Sequence, residues 1–199
     1  MTRLVLASSN AGKLREFRRL LTPFGLEVVA QSELGIAEAD EPHVTFIENA
    51  LAKARHASLA SGLPALADDS GICVAALGGA PGVHSARYAG EPKSDARNNA
   101  ALVEALRGIT DRRAHYYCIL VLLHRSDDPQ PIIAEGIWHG FVVDAPRGSG
   151  GFGYDPHFED AESGLTGAEL PLAHKNEISH RGRAMRSLIA RLTDERRLG

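Results

Sequence analysis

Apolar and polar residues follow two different periods along the chain, and this pattern predicts an α/β protein. Short apolar runs at residues 4–7 and 26–30 are typical of buried strands. Between these runs, Leu14, Phe17, Leu20 and Leu21 recur at helical spacing. The chain is therefore expected to open with a strand, a loop, a helix and a second strand.

Strand-like patterns dominate the middle of the chain, where antiparallel pairing is expected, and helices are predicted on either side of it. Thr45 and Glu48 form a capping box, which marks the beginning of a helix. On that helix, Asn49, Lys53 and His56 share one face. The remaining predicted elements are a helix over residues 94–106, strands over 115–123, 132–135 and 137–143, and a C-terminal helix with buried Met185, Leu188, Ile189 and Leu192.

Length and composition indicate a single globular domain. The chain has 199 residues, of which 44% are hydrophobic and 24% charged, which is enough for one domain with two lobes. The net charge is −3 and no basic residues line up along one segment, so we expect no nucleic acid partner.

No apolar stretch is as long as a membrane span, and the first run is too short for a secretory signal. Cys73 and Cys118 lie in apolar runs, as packed thiols of a reducing compartment do, so a cytoplasmic protein without a membrane partner is expected.

An acidic doublet, Asp68-Asp69, stands between the apolar runs at residues 64–67 and 72–77. We interpret the runs as two buried strands with the carboxylates at their junction. Carboxylates beside apolar segments are costly unless protons, cations or hydrogen-bond donors compensate them. Magnesium prefers oxygen ligands and is one such compensator. A solvated turn or a helix N-cap is the alternative, although a surface turn would not need apolar runs on both sides.

Small and polar residues at positions 8–13 join the first strand to the first helix. A loop of this kind directs backbone N–H groups and a helix N-terminus at an anion, and Lys13 adds a positive charge. The P-loop pattern is not met, because Ala7 and Leu14 stand where that pattern has Gly and Ser or Thr. Any metal ligands must then come from elsewhere, which favours the acidic doublet. The alternative is a plain helix start capped by Ser9 or Asn10.

Three further segments carry candidate chemistry, each with a structural alternative. The acidic loop over residues 38–41 precedes a helix and either faces the doublet or is solvated. Glycines around Phe152 suit a flat ligand that stacks on the ring, unless Phe152 fills the core. Near the start of the C-terminal helix, a basic cluster needs an acceptor or solvent to offset its repulsion; its members are Lys175, His180 and Arg181.

Taken together, these segments resemble the noncanonical purine NTP pyrophosphatases, the inosine/xanthosine triphosphatase family, over nearly the whole chain. Several separate motifs in the same order make the resemblance more specific than any one of them. The motifs are Ser9-Asn10-Ala11-Gly12-Lys13 with Glu16, Thr45-Phe46-Ile47-Glu48-Asn49-Ala50 with Lys53-Ala54, Ala67-Asp68-Asp69-Ser70-Gly71, Gly78-Gly79-Ala80-Pro81-Gly82 with Ser85-Ala86-Arg87-Tyr88, Gly150-Gly151-Phe152-Gly153-Tyr154-Asp155-Pro156, and Ile178-Ser179-His180-Arg181.

The resemblance implies a two-lobed α/β fold with a long central mixed β-sheet flanked by helices, a cleft between the lobes and a homodimer. It also implies magnesium-dependent hydrolysis of ITP, dITP and XTP to the monophosphate and pyrophosphate. Asp69 would be general base and metal ligand, with a second carboxylate from Asp40 or Glu41, of which we favour Glu41. The expected substrate-binding residues are Ser8, Ser9, Asn10, Ala11, Gly12 and Lys13 with Lys53 at the triphosphate, Ser70, and Phe152, Gly153, Tyr154, Asp155, Lys175, His180 and Arg181 at the base.

The chain departs from the family pattern at two places. Pro42-His43 follows the loop acid where the family usually has Thr-Gly, and His174 stands where an acid is common beside the lysine. These departures affect the expected path of the acidic loop and the way in which Lys175 is held.

Two rival functions remain open at the level of sequence. One is a pyrophosphatase that acts on other modified nucleotides, and the other is a nucleotide-binding module without turnover. Buried carboxylates argue against the second, since they contribute nothing to pure phosphate binding.

Overall fold

A computed structural model of the chain describes residues 2–8 and 11–198, without the side chains of Ala11 and residues 195–198. Six strands form one mixed sheet in the order β2-β1-β3-β4-β5-β6, which confirms the predicted fold class. The strands are β1 (Thr2–Leu6), β2 (Leu26–Ala30), β3 (Ala65–Val74), β4 (Arg113–Leu123), β5 (Ile132–Val142) and β6 (Phe158–Asp160). The helices are α1 (Ala11–Leu21), α2 (Phe46–Ser61), α3 (Asp95–Ala105), α4 (Leu172–Ile178) and α5 (His180–Leu198).

The chain divides into two compact units. The first contains the described residues up to Asp69, then Ile119–Ala134, and the chain from Met185 onward. In this unit, β1 pairs in parallel with β2 and with the beginning of β3. Helix α1 packs on β2 and α2 packs on β1. Buried Phe17 and Leu21 line the inner face of α1, as their spacing predicts.

The second unit contains Ser70–Cys118 and Glu135–Ala184. Its core includes the fully buried rings of Trp138 and Phe158, which meet edge to face at 4.8 Å. The indole Nε1 of Trp138 donates to buried Asp160 at 2.7 Å, so the polar atom of this large side chain is satisfied. Strands β5 and β6 pair antiparallel at the edge of the sheet. No helix among the described residues is long and apolar enough to cross a membrane.

Two predicted strand breaks are wrong. Strand β3 runs without interruption through the acidic doublet, and a 3-10 helix, Ala75–Leu77, follows it. Strand β5 likewise passes through Gly136, where the sequence predicts an end. A Cβ at Gly136 would lie 2.1 Å from the carbonyl oxygen of His180, so glycine here permits close approach of α5 and does not mark a turn.

The basic cluster is not on one helix. Lys175 lies on α4, whereas His180 and Arg181 begin α5, and Ser179 separates the two helices. Ser179 has extended backbone angles, so helical spacing does not relate Lys175 to the other two residues.

Candidate active site

The acidic doublet is buried, and its two carboxylates meet different lysines. Successive side chains of a strand point to opposite faces. Asp68 is 2% exposed. It forms an ion pair with Lys13 of α1, whose Nζ lies 3.0 Å from Oδ1 and 2.7 Å from Oδ2. Asp69 is directed instead toward α2, where Lys53 lies 3.2 Å from its Oδ1. The lysine predicted for the phosphates, Lys13, is thus an ion-pair partner of Asp68 in this structure.

Glu41, Lys53 and Asp69 form a cluster that we call the acidic site. Lys53 Nζ donates to Glu41 Oε1 at 2.7 Å as well as to Asp69. Burial raises the pKa of Asp69, and Glu41 and Asp68 raise it further against the opposing charge of Lys53. Burial alone would lower the pKa of Lys53, but the surrounding carboxylates outweigh it and the pKa is raised. The site is therefore rich in negative charge and favours cations.

Helix α2 holds the acidic loop through the face that the sequence predicts. The carboxamide of Asn49 accepts from His43 N at 3.1 Å and donates to His43 O at 3.2 Å. His56 Nε2 lies 3.0 Å from the carbonyl oxygen of Ala37. With both ends of the loop fixed, Glu41 is the acid that reaches Lys53, while Asp40 is exposed.

The acidic site suits a small, hard divalent cation. Asp69 Oδ2 is buried and accepts no hydrogen bond from any described residue. Such an acceptor is costly unless a donor or a cation reaches it. No group of three or more metal-binding side chains gathers within the described ranges 2–8 and 11–198. Magnesium is commonly bound by only one or two carboxylates, together with water and substrate phosphates, so Asp69 and Glu41 are a sufficient protein contribution.

The predicted triphosphate loop is described in part. Ser8 N donates to Leu6 O at 2.8 Å at the end of β1, and α1 begins at Ala11 with Gly12 exposed. Ser9 and Asn10 lie outside the described residues, so their contacts with phosphate stay a prediction. Ser70 is half-buried on β3, directly after Asp69.

A second cluster, which we call the aromatic site, consists of Phe152, Asp155, Lys175 and Arg181. Phe152 is 64% exposed, so it does not fill the core. Lys175 Nζ and Arg181 Cζ lie 5.2 and 5.9 Å from its ring centroid. This is the distance at which cations interact with an aromatic face. An exposed ring flanked by two hydrogen-bond donors can stack on and hydrogen-bond to a planar ligand.

Asp155 organises this site from within the protein. It is 3% exposed, accepts from Phe152 N at 2.7 Å and forms an ion pair with Lys175. Gly151 has a φ of +73°, and a Cβ there would lie 2.2 Å from Asp155 Oδ2, so only glycine fits. Asp155 therefore positions Phe152 and Lys175, although the sequence predicted it as a ligand contact.

Helix α3 supplies two positioning residues that sequence reasoning missed. Asp95 accepts from Gly153 N at 2.8 Å, and Asn99 donates to Gly153 O at 2.8 Å. Both backbone groups of the residue after Phe152 are therefore fixed. A polar helix start is an ordinary feature of a sequence, and nothing in it points to a loop more than fifty positions away.

Two other predicted residues contact neighbouring residues of the second unit. Tyr154 is 4% exposed, and its hydroxyl donates to Ser85 O at 2.8 Å. The ring of His180 stacks on Tyr116 with a centroid distance of 4.6 Å. Burial raises the pKa of Tyr154, which stays a neutral hydroxyl that anchors the loop.

Known proteins match the chain over almost its full length. The model of the Ham1 family matches residues 4–191. A dITP/XTP pyrophosphatase of Nitrosomonas europaea is 65% identical over 194 residues, which are 98% of this chain and 96% of that protein. Another, of Ralstonia nicotianae, is 66% identical over 195 residues, which are 96% of this chain and 97% of its own.

Solved structures agree with the sequence comparisons. A HAM1 protein from Coxiella burnetii superposes with a TM-score of 0.95 at 45% identity, covering 98% of this chain and all of that one. The Ham1 protein of Staphylococcus aureus gives a TM-score of 0.91 at 37% identity, with 98% of this chain covered. The resemblance inferred from the motifs is confirmed, and the chain belongs to the Ham1 family.

Proposed function

We propose that this protein hydrolyses ITP, dITP and XTP to the monophosphate and pyrophosphate, with magnesium, and thereby removes noncanonical purines from the nucleotide pool. The observation that carries the proposal is the buried Asp69, which has one oxygen on Lys53 and the other unpaired among the described residues. Relatives at 65% and 66% identity are named dITP/XTP pyrophosphatases, which supports the choice of substrates. We further propose a cytoplasmic homodimer without nucleic acid or membrane partners.

The acidic site serves the triphosphate in this proposal. Phosphoryl transfer needs charge neutralisation and positioning more than covalent chemistry. Asp69 and Glu41 would hold magnesium, which supplies neutralising charge at the phosphates. Lys13, Lys53 and the N–H groups at the start of α1 bind phosphate oxygens. Asp69 orients a water molecule and accepts its proton as the oxygen bonds to the α-phosphorus. The bond from that phosphorus to the α–β bridging oxygen breaks, and pyrophosphate leaves.

The aromatic site serves the base. Hypoxanthine and xanthine carry an oxygen at position 6, where adenine carries an amino donor. Lys175 and Arg181, with His180, present donors to that position, so adenine would set donor against donor. A site built to hydrogen-bond one group rejects an analogue that leaves its polar atoms unpaired. This argument explains discrimination against ATP and leaves guanine, which shares the oxygen, to a steric cause.

Pyrophosphate release across a substrate panel tests the proposed function. Purified protein is assayed with ITP, XTP, dITP, ATP, GTP and dTTP, with and without magnesium. We expect fast release from the first three, only with the metal. Preference for a modified pyrimidine or methylated nucleotide would favour the first rival function. Tight binding of ITP without any product would favour a module without turnover.

Replacing Phe152 with alanine is expected to raise KM for ITP by about 5- to 150-fold, because base stacking contributes roughly 1–3 kcal/mol. Phe152→Trp keeps an aromatic face and should stay near the parent value. Leu172→Ala is the matched control, since it removes another exposed apolar side chain, 73% accessible, from the same unit. Steady-state kinetics on ITP measure all three, and an unchanged KM in the alanine variant would contradict stacking.

A further inference from the structure

One ammonium group contacts both carboxylates that the proposed function assigns to the metal. Lys53 Nζ is 2.7 Å from Glu41 Oε1 and 3.2 Å from Asp69 Oδ1. The three side chains are largely buried, with exposed fractions of 14% for Lys53, 29% for Glu41 and 12% for Asp69. Lys53 is therefore a counterion to these acids at close range, where water screens it weakly.

Maintaining the local structure does not depend on this contact. Asn49 binds both backbone groups of His43, and His56 contacts the carbonyl of Ala37, so α2 holds the acidic loop on either side of Glu41 without Lys53. The buried Oδ2 of Asp69 is left without a hydrogen-bond donor among the described residues. Lys53 thus leaves one oxygen of Asp69 without compensation among the described residues, and this oxygen is available to a second cation.

Lys53 and a divalent ion would compete for the same two carboxylates. Glu41 Oε1 and Asp69 Oδ1 already accept from the ammonium, and an ion bound between the two carboxylates would repel it. The lysine side chain is a flexible four-carbon stem with three donors, so the ammonium can turn to another acceptor. In a nucleotide pyrophosphatase, that acceptor is a phosphate oxygen of the substrate.

We propose that Lys53 is an exchangeable counterion. It neutralises Glu41 and Asp69 while no nucleotide is bound, and it moves to a phosphate when the ion takes the carboxylates. Metal and nucleotide then bind with positive cooperativity, because each makes room for the other. This inference rests on the proposed function, and it adds a reason why the free protein would bind divalent metal weakly.

Titration of the nucleotide-free protein with Mn²⁺, followed through the electron paramagnetic resonance signal of the free ion, tests the exchange without any turnover. We expect Lys53→Met to bind Mn²⁺ more tightly than the parent by roughly 5- to 150-fold, the usual range of coupling between two sites. Lys53→Gln serves as a second variant if the first folds poorly, as judged by circular dichroism. Arg18→Met is the matched control, because it removes a cation from the exposed Arg18–Glu33 pair of the same unit. Its affinity for Mn²⁺ should change by no more than about twofold.

A purely structural lysine would give the opposite result. If Lys53 only held the acids in place, its loss would leave Mn²⁺ affinity unchanged or weaker, and either outcome overturns the inference. The magnesium dependence of ITP hydrolysis by the parent protein is measured separately. A parent enzyme that needs magnesium, combined with unaltered Mn²⁺ binding in both Lys53 variants, would reject the exchange and leave the proposed function standing.

Discussion

Replacing Asp69 with asparagine is expected to lower kcat for ITP by about 100-fold or more, the usual scale for loss of a general base. The amide has the same size and can still accept from Lys53, which lies 3.2 Å from Oδ1. It cannot take a proton from water, and it is a poorer ligand for a hard cation. Pyrophosphate release from ITP at saturating magnesium measures the effect.

Asp40→Asn is the control for this prediction. Asp40 is exposed, whereas the neighbouring Glu41 contacts Lys53, so the control should retain kcat within about twofold. Thermal unfolding of Asp69→Asn should show a folded protein, because removal of a buried negative charge relieves repulsion from Glu41 and Asp68. A folded Asp69→Asn enzyme with turnover within a few-fold of the parent would show that another group takes the proton.

For the acidic site, the sequence predicted which residues take part better than it predicted which residues pair with one another. It indicated that Asp68 and Asp69 are buried, which the structure confirms. It also favoured Glu41 over Asp40 as a metal ligand, which stays a prediction. It did not predict that Asp68 pairs with Lys13 while Asp69 pairs with Lys53. That division follows from the continuous strand, which sends neighbouring side chains to opposite faces. The sequence had instead predicted two strands with both carboxylates at their junction.

The aromatic site shows a similar limit. A glycine-rich segment beside basic residues is recognisable in a sequence, and the exposure of Phe152 agrees with a stacking role. Residue type does not reveal which way a side chain points, and the burial of Asp155 against Lys175 could not be predicted from it. The expected contact of Asp155 with a ligand stays a prediction. The hydrogen bonds of Asp95 and Asn99 with the backbone of Gly153 are long-range contacts that no local sequence pattern encodes.

Glycine within a strand is the other point at which local reasoning fails. Sequence rules interpret an isolated glycine as a break or a bulge. The sequence therefore predicts two strands, one on each side of Gly136, where the structure has one. In the structure Gly136 is a contact position, where a Cβ would lie 2.1 Å from His180 O and 2.5 Å from Ala184 N. The same residue that misleads the prediction of β5 thus permits α5 to begin against the sheet.

Gly136→Val is therefore expected to lower the free energy of unfolding by about 3 kcal/mol or more, at the upper end for overpacked sites. The two closest atoms belong to the backbone of α5, so no side-chain rotation relieves the clash. Glu135→Val is the matched control, because it places the same side chain on an exposed neighbouring position of β5. It loses only the exposed hydrogen bond from Tyr117 and should cost about 1 kcal/mol or less.

Urea denaturation followed by circular dichroism compares the two valine variants with the parent. A loss in Gly136→Val no larger than that of the control would mean that α5 does not approach β5 as closely as described. A folded fraction of Gly136→Val would carry a second consequence, because α5 begins with His180 and Arg181. Displacement of that helix start moves Arg181 from its position 5.9 Å from the Phe152 ring. KM for ITP should then rise even at temperatures where the variant is folded.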